Sequence, residues 1–287
     1  MNLHRAKLDI VEAGRRVYQR GYVASNDGNI SCRIDEDRIL TTPTGVSKGF
    51  MKVEDLCVVD FDGKQVSGTM RPSSEIGMHI FLYRERPDMH AVVHAHPPTA
   101  TGFAVAGIPL TECVLPEVVI TLGSVPIADY GTPGGPEISE PIRKWVKDYD
   151  AYLLENHGAT TIGLDVINAY HKMETLEHFA KILLVARQLG GANVLSEEQV
   201  GKLLKIRDRM GIQGPNPACA PEPPHASAGS DQPTTTTDAI PTLKTRSAGG
   251  SLAPLSGSTP SSPPADTSPL IDEITRRVVE ELRRRSP

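Results

Sequence analysis

No long apolar run interrupts this sequence. Nothing in it approaches the ~18 consecutive apolar residues that a membrane-spanning helix needs. Met1 to Arg20 is charged throughout and lacks the apolar centre of a signal peptide. A soluble, cytoplasmic protein with no membrane partner is therefore expected. A basic excess is missing too: Lys plus Arg is 30 against 35 Asp plus Glu, a formal net charge of −5. That argues against a general nucleic-acid partner, whose electrostatic footprint would be basic. Cysteine is scarce. Cys32, Cys57, Cys113 and Cys219 stand far apart with no C-x-x-C pair, which excludes a zinc ribbon and a thioredoxin-like motif. Four unpaired thiols, three in the body and one in the tail, are expected, as suits a reducing compartment. Neither G-x-G-x-x-G nor G-x-x-x-x-G-K-[ST] occurs, so no Rossmann or P-loop nucleotide site is indicated. No internal repeat of solenoid length is present.

Hydrophobic residues are also few, 39% against the usual share of about 45–50%. The deficit has a location. From Gly214 to Ser268 the chain is mostly Pro, Ser, Thr, Ala and Gly, too polar to offset chain entropy by burial, and it reads as a disordered linker. Residues 1–213 are left as a normal globular body, long enough for a sizeable core. Residues 269–287 change character again. Ser268 can cap, Pro269 suits the first helical position, and Ile271, Ile274, Val278 and Leu282 line one face of a short amphipathic helix. Asp272 and Glu273 near its start and Arg283 to Arg285 near its end match the helix dipole. So short a helix is marginal alone in water, so docking to a partner groove or folding back onto the body is expected.

Within the body, hydrophobic spacing predicts helices over 6–20, 74–84 (with Ser73 as N-cap), 137–146, 166–189 and 196–210. Strands are predicted at 30–34, 38–42, 57–61, 90–96, 118–122, 125–129 and 151–154. The elements alternate without a regular βαβ period, which predicts an α/β or α+β fold with a mixed sheet.

The most informative stretch is Arg71-Pro-Ser-Ser-Glu-Ile-Gly-Met-His-Ile with His90-Ala-Val-Val-His-Ala-His-Pro. His94 and His96, two apart on a predicted strand, share a face. His157 follows the strand 151–154, beside Gly158, which permits a sharp turn. Three histidines with an open fourth position is the pattern of a catalytic rather than a structural zinc site. Imidazole equally suits other divalent metals. His79, one turn after Glu75, and His90 compete as ligands; His171 and His178 on the long predicted helix read as packing or surface residues.

Five motifs in this order, Asn26-Asp-Gly-Asn-Ile-Ser31, Thr42-Pro-Thr-Gly-Val46, Pro72-Ser-Ser-Glu75, His94-Ala-His96 and Asn156-His-Gly158, resemble the class II aldolase/adducin family, most of all its fuculose-phosphate aldolase branch. The likeness runs from about Leu3 to Met210. It implies an α/β fold of three layers, with a central mixed or antiparallel sheet covered by helices. It also implies a homotetramer with sites between subunits. His94, His96 and His157 would bind a divalent metal, usually zinc. Glu75 would be the acid/base residue. Gly28, Asn29, Thr44, Gly45, Ser73 and Ser74 would cradle a substrate phosphate, a role suited to backbone N–H groups and small hydroxyls.

The reaction implied is retro-aldol cleavage of L-fuculose or L-rhamnulose 1-phosphate to dihydroxyacetone phosphate and L-lactaldehyde. The metal would act on the substrate carbonyl as a Lewis acid. The branch carries a Tyr after an Ile-Pro step, whereas Ile108-Pro-Leu-Thr-Glu-Cys113 has none. Cys113, Glu117 and Tyr130 are the residues nearby that could replace it. Epimerases, dehydratases and decarboxylases of sugar phosphates share the scaffold, as do the non-enzymatic adducins. The tail resembles the encapsulation peptides of bacterial microcompartment enzymes. This implies a shell protein or co-cargo as partner, a place in the microcompartment lumen, and confinement of a reactive aldehyde product.

Overall fold

The computed structural model describes residues 2–212 and 214–216. The expected linker from 217 onward and the expected helix 269–287, with Ile271, Ile274, Val278 and Leu282, lie outside the described residues. So does Cys219.

The first helix, α1 (Leu3–Gln19), starts at Asn2, whose side chain accepts from the His4 and Arg5 N–H groups, and buries Ala6, Ile10, Ala13 and Val17. Strands β1 (Asn29–Arg33), β2 (Arg38–Thr41), β3 (Cys57–Asp60) and β4 (Gln65–Ser67) follow as an antiparallel run. After α2 (Ile76–Glu85) comes β5 (Ala91–Ala95), which pairs antiparallel with β1. Helices α3 (Pro98–Val105) and α4 (Pro116–Thr121) precede the two-residue β6 (Ile127–Ala128). Then come β7 (Ala151–Leu154), β8 (Gly158–Gly163), the long α5 (Val166–Gln188) and α6 (Glu197–Arg209). The sheet order is β4-β3-β2-β1-β5-β8-β7-β6, antiparallel throughout except for β6 with β7.

Alternation along the strands gives the sheet two apolar faces. Ile30, Cys32, Leu40, Val93, Ala95 and Leu153 pack with α1, α3, α4 and α5. Ile39, Val59, Val92, Tyr152 and Ile162 pack with α2 and with Ile138, Ile142 and Val146. The result is an α/β fold in three layers, with a mostly antiparallel sheet flanked by helices.

Three local expectations are corrected. Residues 118–122 form most of α4, not a strand. Pro116 occupies its first turn, and Val118 and Val119 are buried by helix packing despite their β-branching. Residues 137–146 form two short 3-10 turns, Pro136–Ile138 and Glu140–Lys144, instead of one helix. Pro141 lacks the N–H that a continuous helix would need there. The pair Pro97-Pro98 ends β5 but also opens α3, which the apolar pattern did not reveal.

Cys113 is disulfide-bonded, against the expectation of four unpaired thiols, whereas Cys32 and Cys57 are buried thiols outside any disulfide. Gly214 to Asn216, assigned to the linker, pack on the body. The Arg207 guanidinium donates to the Gly214 carbonyl, and Asn216 Nδ2 donates to the Val119 carbonyl.

The start of α3 is held by a buried carboxylate from α5. Glu177 accepts from the Thr99 N–H at 3.0 Å and the Ala100 N–H at 2.8 Å. These donors belong to a helix N-terminus with no internal partners for them. Glu177→Ala should therefore lower the unfolding free energy by about 2–3 kcal/mol, since charge-assisted bonds are lost and two donors are left unpaired. Denaturant unfolding measures this; a change within experimental error would show that the cap is dispensable.

Candidate metal centre

The central strands bring the chemically active residues to one end of the sheet. Asn29 on β1 stands in register with His94 on β5, and His94 in turn with Thr160 on β8. His157 lies in the turn that joins β7 to β8. In that turn Asn156 takes the left-handed conformation, φ 53°, which Asn tolerates better than most residues. Gly158 then passes against the end of β5: a Cβ there would lie 2.6 Å from both the Ala95 carbonyl oxygen and the His96 ring. Any side chain at that position would drive His157 and His96 apart. Gly28 plays the same part before β1. Its φ is +70°, and a Cβ would meet the His94 carbonyl oxygen at 2.8 Å.

His94, His96 and His157 thus converge, with one ligand nitrogen from each ring lying within 4.8 Å of the others. The His94 and His96 Nε2 atoms are 3.2 Å apart. Two nitrogens bound to one tetrahedral zinc at about 2.0–2.1 Å would be about 3.3 Å apart, so this spacing fits the ion. His94 Nδ1 lies 3.0 Å from the Ala159 carbonyl, which can only accept, so Nδ1 carries the proton and Nε2 presents its lone pair to the cluster. Behind His96, Asp27 sets a carboxylate oxygen 3.7 Å from Nδ1. Burial, with the neighbouring imidazoles, holds His94 well below the ordinary imidazole range. Burial lowers His96 against the opposing pull of Asp27, and brings His157 down to about 4. All three rings are therefore neutral at pH 7, the state in which imidazole binds a metal.

Glu75 faces the cluster. Its Oε2 lies 3.4 Å from His94 Nε2 and accepts from Asn29 Nδ2 at 2.7 Å. Its Oε1 lies 3.4 Å from His157 Nε2 and accepts no hydrogen bond. Burial raises the Glu75 pKa, the Asn29 hydrogen bond opposes that, and the Asp27 charge adds to the rise. A buried acceptor without a donor, set against three neutral nitrogens, is a donor set suited to a divalent cation.

Glu75 precedes the first turn of α2 and is placed by Ser73, whose hydroxyl accepts the Glu75 N–H at 3.2 Å. Ser73 thus orders the turn into α2; it does not supply the expected N-cap hydrogen bond. Gly28 and Asn29, Thr44 and Gly45, and Ser73 and Ser74 come from three segments tied together by the main chain. Thr42 N–H donates to the Ile30 carbonyl, Ser73 N–H to Thr42, and Thr44 N–H to Arg71. Thr44, Gly45 and Ser74 are exposed, whereas Asn29 and Ser73 are buried. A groove of about 640 Å³ between α2 and residues 134–143 reaches Ser74 and Glu75, and none of the three histidines lines it.

The remaining candidates stand apart. Cys113 is buried and, being disulfide-bonded, has no thiol proton to donate; its proposed acid role is corrected. Glu117 is exposed on α4. Tyr130 is exposed, and its N–H donates to the Glu155 carboxylate next to the β7–β8 turn. His79 is buried against Ser31 Oγ at 2.6 Å and takes no part in the cluster. Asp27 was legible only as one letter of the Asn26-Asp-Gly-Asn motif, and nothing in that motif marked it as a neighbour of His96.

Burial brings the His79 pKa from 6.5 to about 3. Below about pH 6.5 the unfolded chain takes up a proton that the native chain refuses, so stability falls as the pH falls. His79→Gln should remove about 1.4 kcal/mol per pH unit from that slope between about pH 6 and pH 4. An unchanged slope in pH-dependent unfolding would contradict this.

The fold and the converging histidines together define an α/β protein built around a candidate metal centre. The Class II Aldolase and Adducin N-terminal domain matches residues 8–184. That is more than half of the chain, and the chain belongs to this family. It is 34% identical over 185 residues to a 3-oxo-tetronate 4-phosphate decarboxylase of Pectobacterium atrosepticum, covering 63% of this chain and 84% of the relative. It is also 34% identical over 181 residues to an L-fuculose phosphate aldolase of Methanococcus maripaludis, covering 63% and 97%. A solved L-fuculose 1-phosphate aldolase superposes with a TM-score of 0.66 at 29% identity, over 71% of this chain and 96% of that one. No helix among the described residues is long and apolar enough to cross a membrane.

Proposed function

We propose that this chain is a metal-dependent lyase. Its reaction is retro-aldol cleavage of L-fuculose or L-rhamnulose 1-phosphate to dihydroxyacetone phosphate and L-lactaldehyde. The observation that carries the reading is Glu75, a buried carboxyl of raised pKa set 3.4 Å from two of three converging imidazoles. A zinc or other divalent ion on His94, His96 and His157 would supply Lewis-acid polarisation of the substrate carbonyl. Gly28, Asn29, Thr44, Gly45, Ser73 and Ser74 hold the phosphate and so fix the carbonyl-bearing end.

In the cleavage, the bond breaks between the hydroxyl-bearing carbon next to the carbonyl and the carbon beyond it. The outer hydroxyl loses its proton and becomes the aldehyde. Glu75 delivers a proton to the carbon left electron-rich, which gives dihydroxyacetone phosphate. Its raised pKa favours the protonated carboxyl that this step needs. Asn29 holds Oε2 and thereby leaves Oε1 for the proton. Glu117 and Tyr130, both exposed, are the candidates to accept the hydroxyl proton in a homotetramer whose neighbouring copy completes the site.

A second reading has a specific observation behind it. With Cys113 in a disulfide, the thiol that stands nearest in sequence to the missing tyrosine carries no titratable proton. Decarboxylation of a 3-oxo sugar-acid phosphate needs no group to take a hydroxyl proton: the carboxylate leaves as carbon dioxide and Glu75 protonates the same electron-rich carbon. A side-by-side assay decides between the two. Purified, zinc-loaded protein is expected to release dihydroxyacetone phosphate from one of the two ketose phosphates. Release of carbon dioxide from 3-oxo-tetronate 4-phosphate, with no cleavage of either ketose, would replace the aldolase reading by the decarboxylase.

The pattern of residues 269–287 supports a further part of the proposal, docking to a microcompartment shell protein or co-cargo through Ile271, Ile274, Val278 and Leu282. Truncation after Asn216 should leave catalysis intact and abolish encapsulation; loss of activity would defeat that division of labour.

A further inference from the structure

Lys48 is 2% exposed, a rare state for a lysine. Its Nζ donates to the Asn26 carbonyl at 2.9 Å and to the Val46 carbonyl at 2.8 Å. Those carbonyls belong to the two loops that carry Gly28 and Asn29 on one side and Thr44 and Gly45 on the other. A tie between two carbonyls needs only a donor, and a neutral side chain would provide one without the desolvation of a buried ammonium. Burial does press on this charge, lowering its pKa to about 8, while the Asp27 carboxylate opposes the shift. No side-chain carboxylate lies within ion-pair distance of Nζ among the described residues.

We propose that Lys48 is a positioning residue for a phosphate monoester. It joins the two loops into one cradle, and its unpaired positive charge beneath them is matched by the dianion they receive. The inference rests on the phosphate cradle of the proposed function, and extends it to a residue outside the motifs. It makes the anion, rather than a protein carboxylate, the counter-charge of a buried lysine. In the cradle the exposed Thr44 and Ser74 hydroxyls and the Gly45 and Ser74 backbone N–H groups would contact the phosphate, while the Thr44 N–H stays bonded to the Arg71 carbonyl. Lys48 would act from behind, through the carbonyls it holds and through its field, which is little screened in a buried site.

The probe is inorganic phosphate, titrated calorimetrically into the zinc-loaded full chain and into Lys48→Gln, Lys48→Met and Lys48→Arg. Glutamine keeps a donor and loses the charge, methionine loses both, and arginine keeps the charge. Zinc content and thermal midpoint are measured on every variant. The expected result is phosphate binding weakened about tenfold or more in K48Q and K48M, substantial retention in K48R, and zinc content unchanged in all. With a cleaved substrate in hand, the same neutral variants should raise KM far more than they lower kcat.

Phosphate binding at the wild-type level in a folded K48Q or K48M would overturn the inference and leave the proposed reaction standing. Failure of the wild-type protein to bind phosphate would overturn the inference together with the cradle it rests on; the proposed reaction is decided separately by the cleavage assay. Were both neutral variants unable to fold while K48R folds, Lys48 would be a structural residue and the inference would fall.

Discussion

Replacing His94 with alanine should weaken zinc binding more than about a hundredfold, because loss of even an outer partner of a metal-ligating histidine costs about 10–100-fold. His94 is the hinge of the cluster. Its Nε2 lies 3.2 Å from His96 Nε2 and 3.4 Å from Glu75 Oε2, and its Nδ1 is fixed by the Ala159 carbonyl. Alanine there leaves two rings and Glu75, and uncovers the Ala159 carbonyl and the Thr160 hydroxyl that faced the lost ring. Activity should fall to background in the same variant, and added zinc should restore little of it. The control is His79→Gln, equally buried but bonded to Ser31, which should keep its zinc. Metal content by mass spectrometry and a competition titration with a chromophoric chelator read both variants. Equal zinc affinity in wild type and His94→Ala would contradict the assignment of the cluster.

The second large effect belongs to Glu75. Glu75→Gln keeps the shape of the side chain and an oxygen that can accept from Asn29 Nδ2. It removes the proton that the carboxyl carries to carbon. Turnover should fall by about 10²–10⁴-fold, the usual reach of a positioned acid or base. Zinc content and substrate KM should change far less, because the three imidazoles and the phosphate loops remain. A drop in zinc content that matched the drop in turnover would recast Glu75 as a metal ligand. Unchanged turnover would remove it from the chemistry.

Much of this architecture was legible because local pattern and tertiary packing agree. The helix 166–189 and the strands around Ile30, Arg38 and Ala151 match α5, β1, β2 and β7 closely. His-x-His at the end of β5 and His157 beside Gly158 could be read as a trio because strand period and turn chemistry act over a few residues. Where packing overrides local preference, the reading failed. Val118 and Val119 look like strand residues, yet α4 lies against α6 and buries them within a helix. The run 137–146 has helical spacing, but Pro141 breaks it. Strand β8, Gly-Ala-Thr-Thr-Ile-Gly, was missed because it is buried at every residue and so shows neither the apolar–polar alternation nor the β-branched apolar run that marks a strand. There the hydroxyls serve neighbours: Thr161 bonds the Ala169 carbonyl and Thr160 lies 3.1 Å from His94 Nδ1.

The site was less legible than the fold for a physical reason. Its outer partners act across long sequence separations. Asn29 reaches Glu75, Asp27 sits behind His96, and Glu177 on α5 caps the helix that starts just after His96. No spacing rule connects such pairs. Lys48 is the extreme case, since a lysine between Ser47 and Gly49 reads as solvent-facing and only the folded chain shows it buried. Cys113 erred in the opposite direction: proximity in sequence to the missing tyrosine suggested an acid, and the disulfide leaves it without a proton.

The most direct test of the account follows dihydroxyacetone phosphate release from L-fuculose 1-phosphate and L-rhamnulose 1-phosphate by coupled NADH oxidation. It uses the full chain as purified, after chelator, and after zinc is restored. The account predicts release that the chelator abolishes and zinc recovers in the wild type, and that Glu75→Gln lacks in all three states. Release that persists without metal, or that Glu75→Gln retains at the wild-type rate, would contradict it.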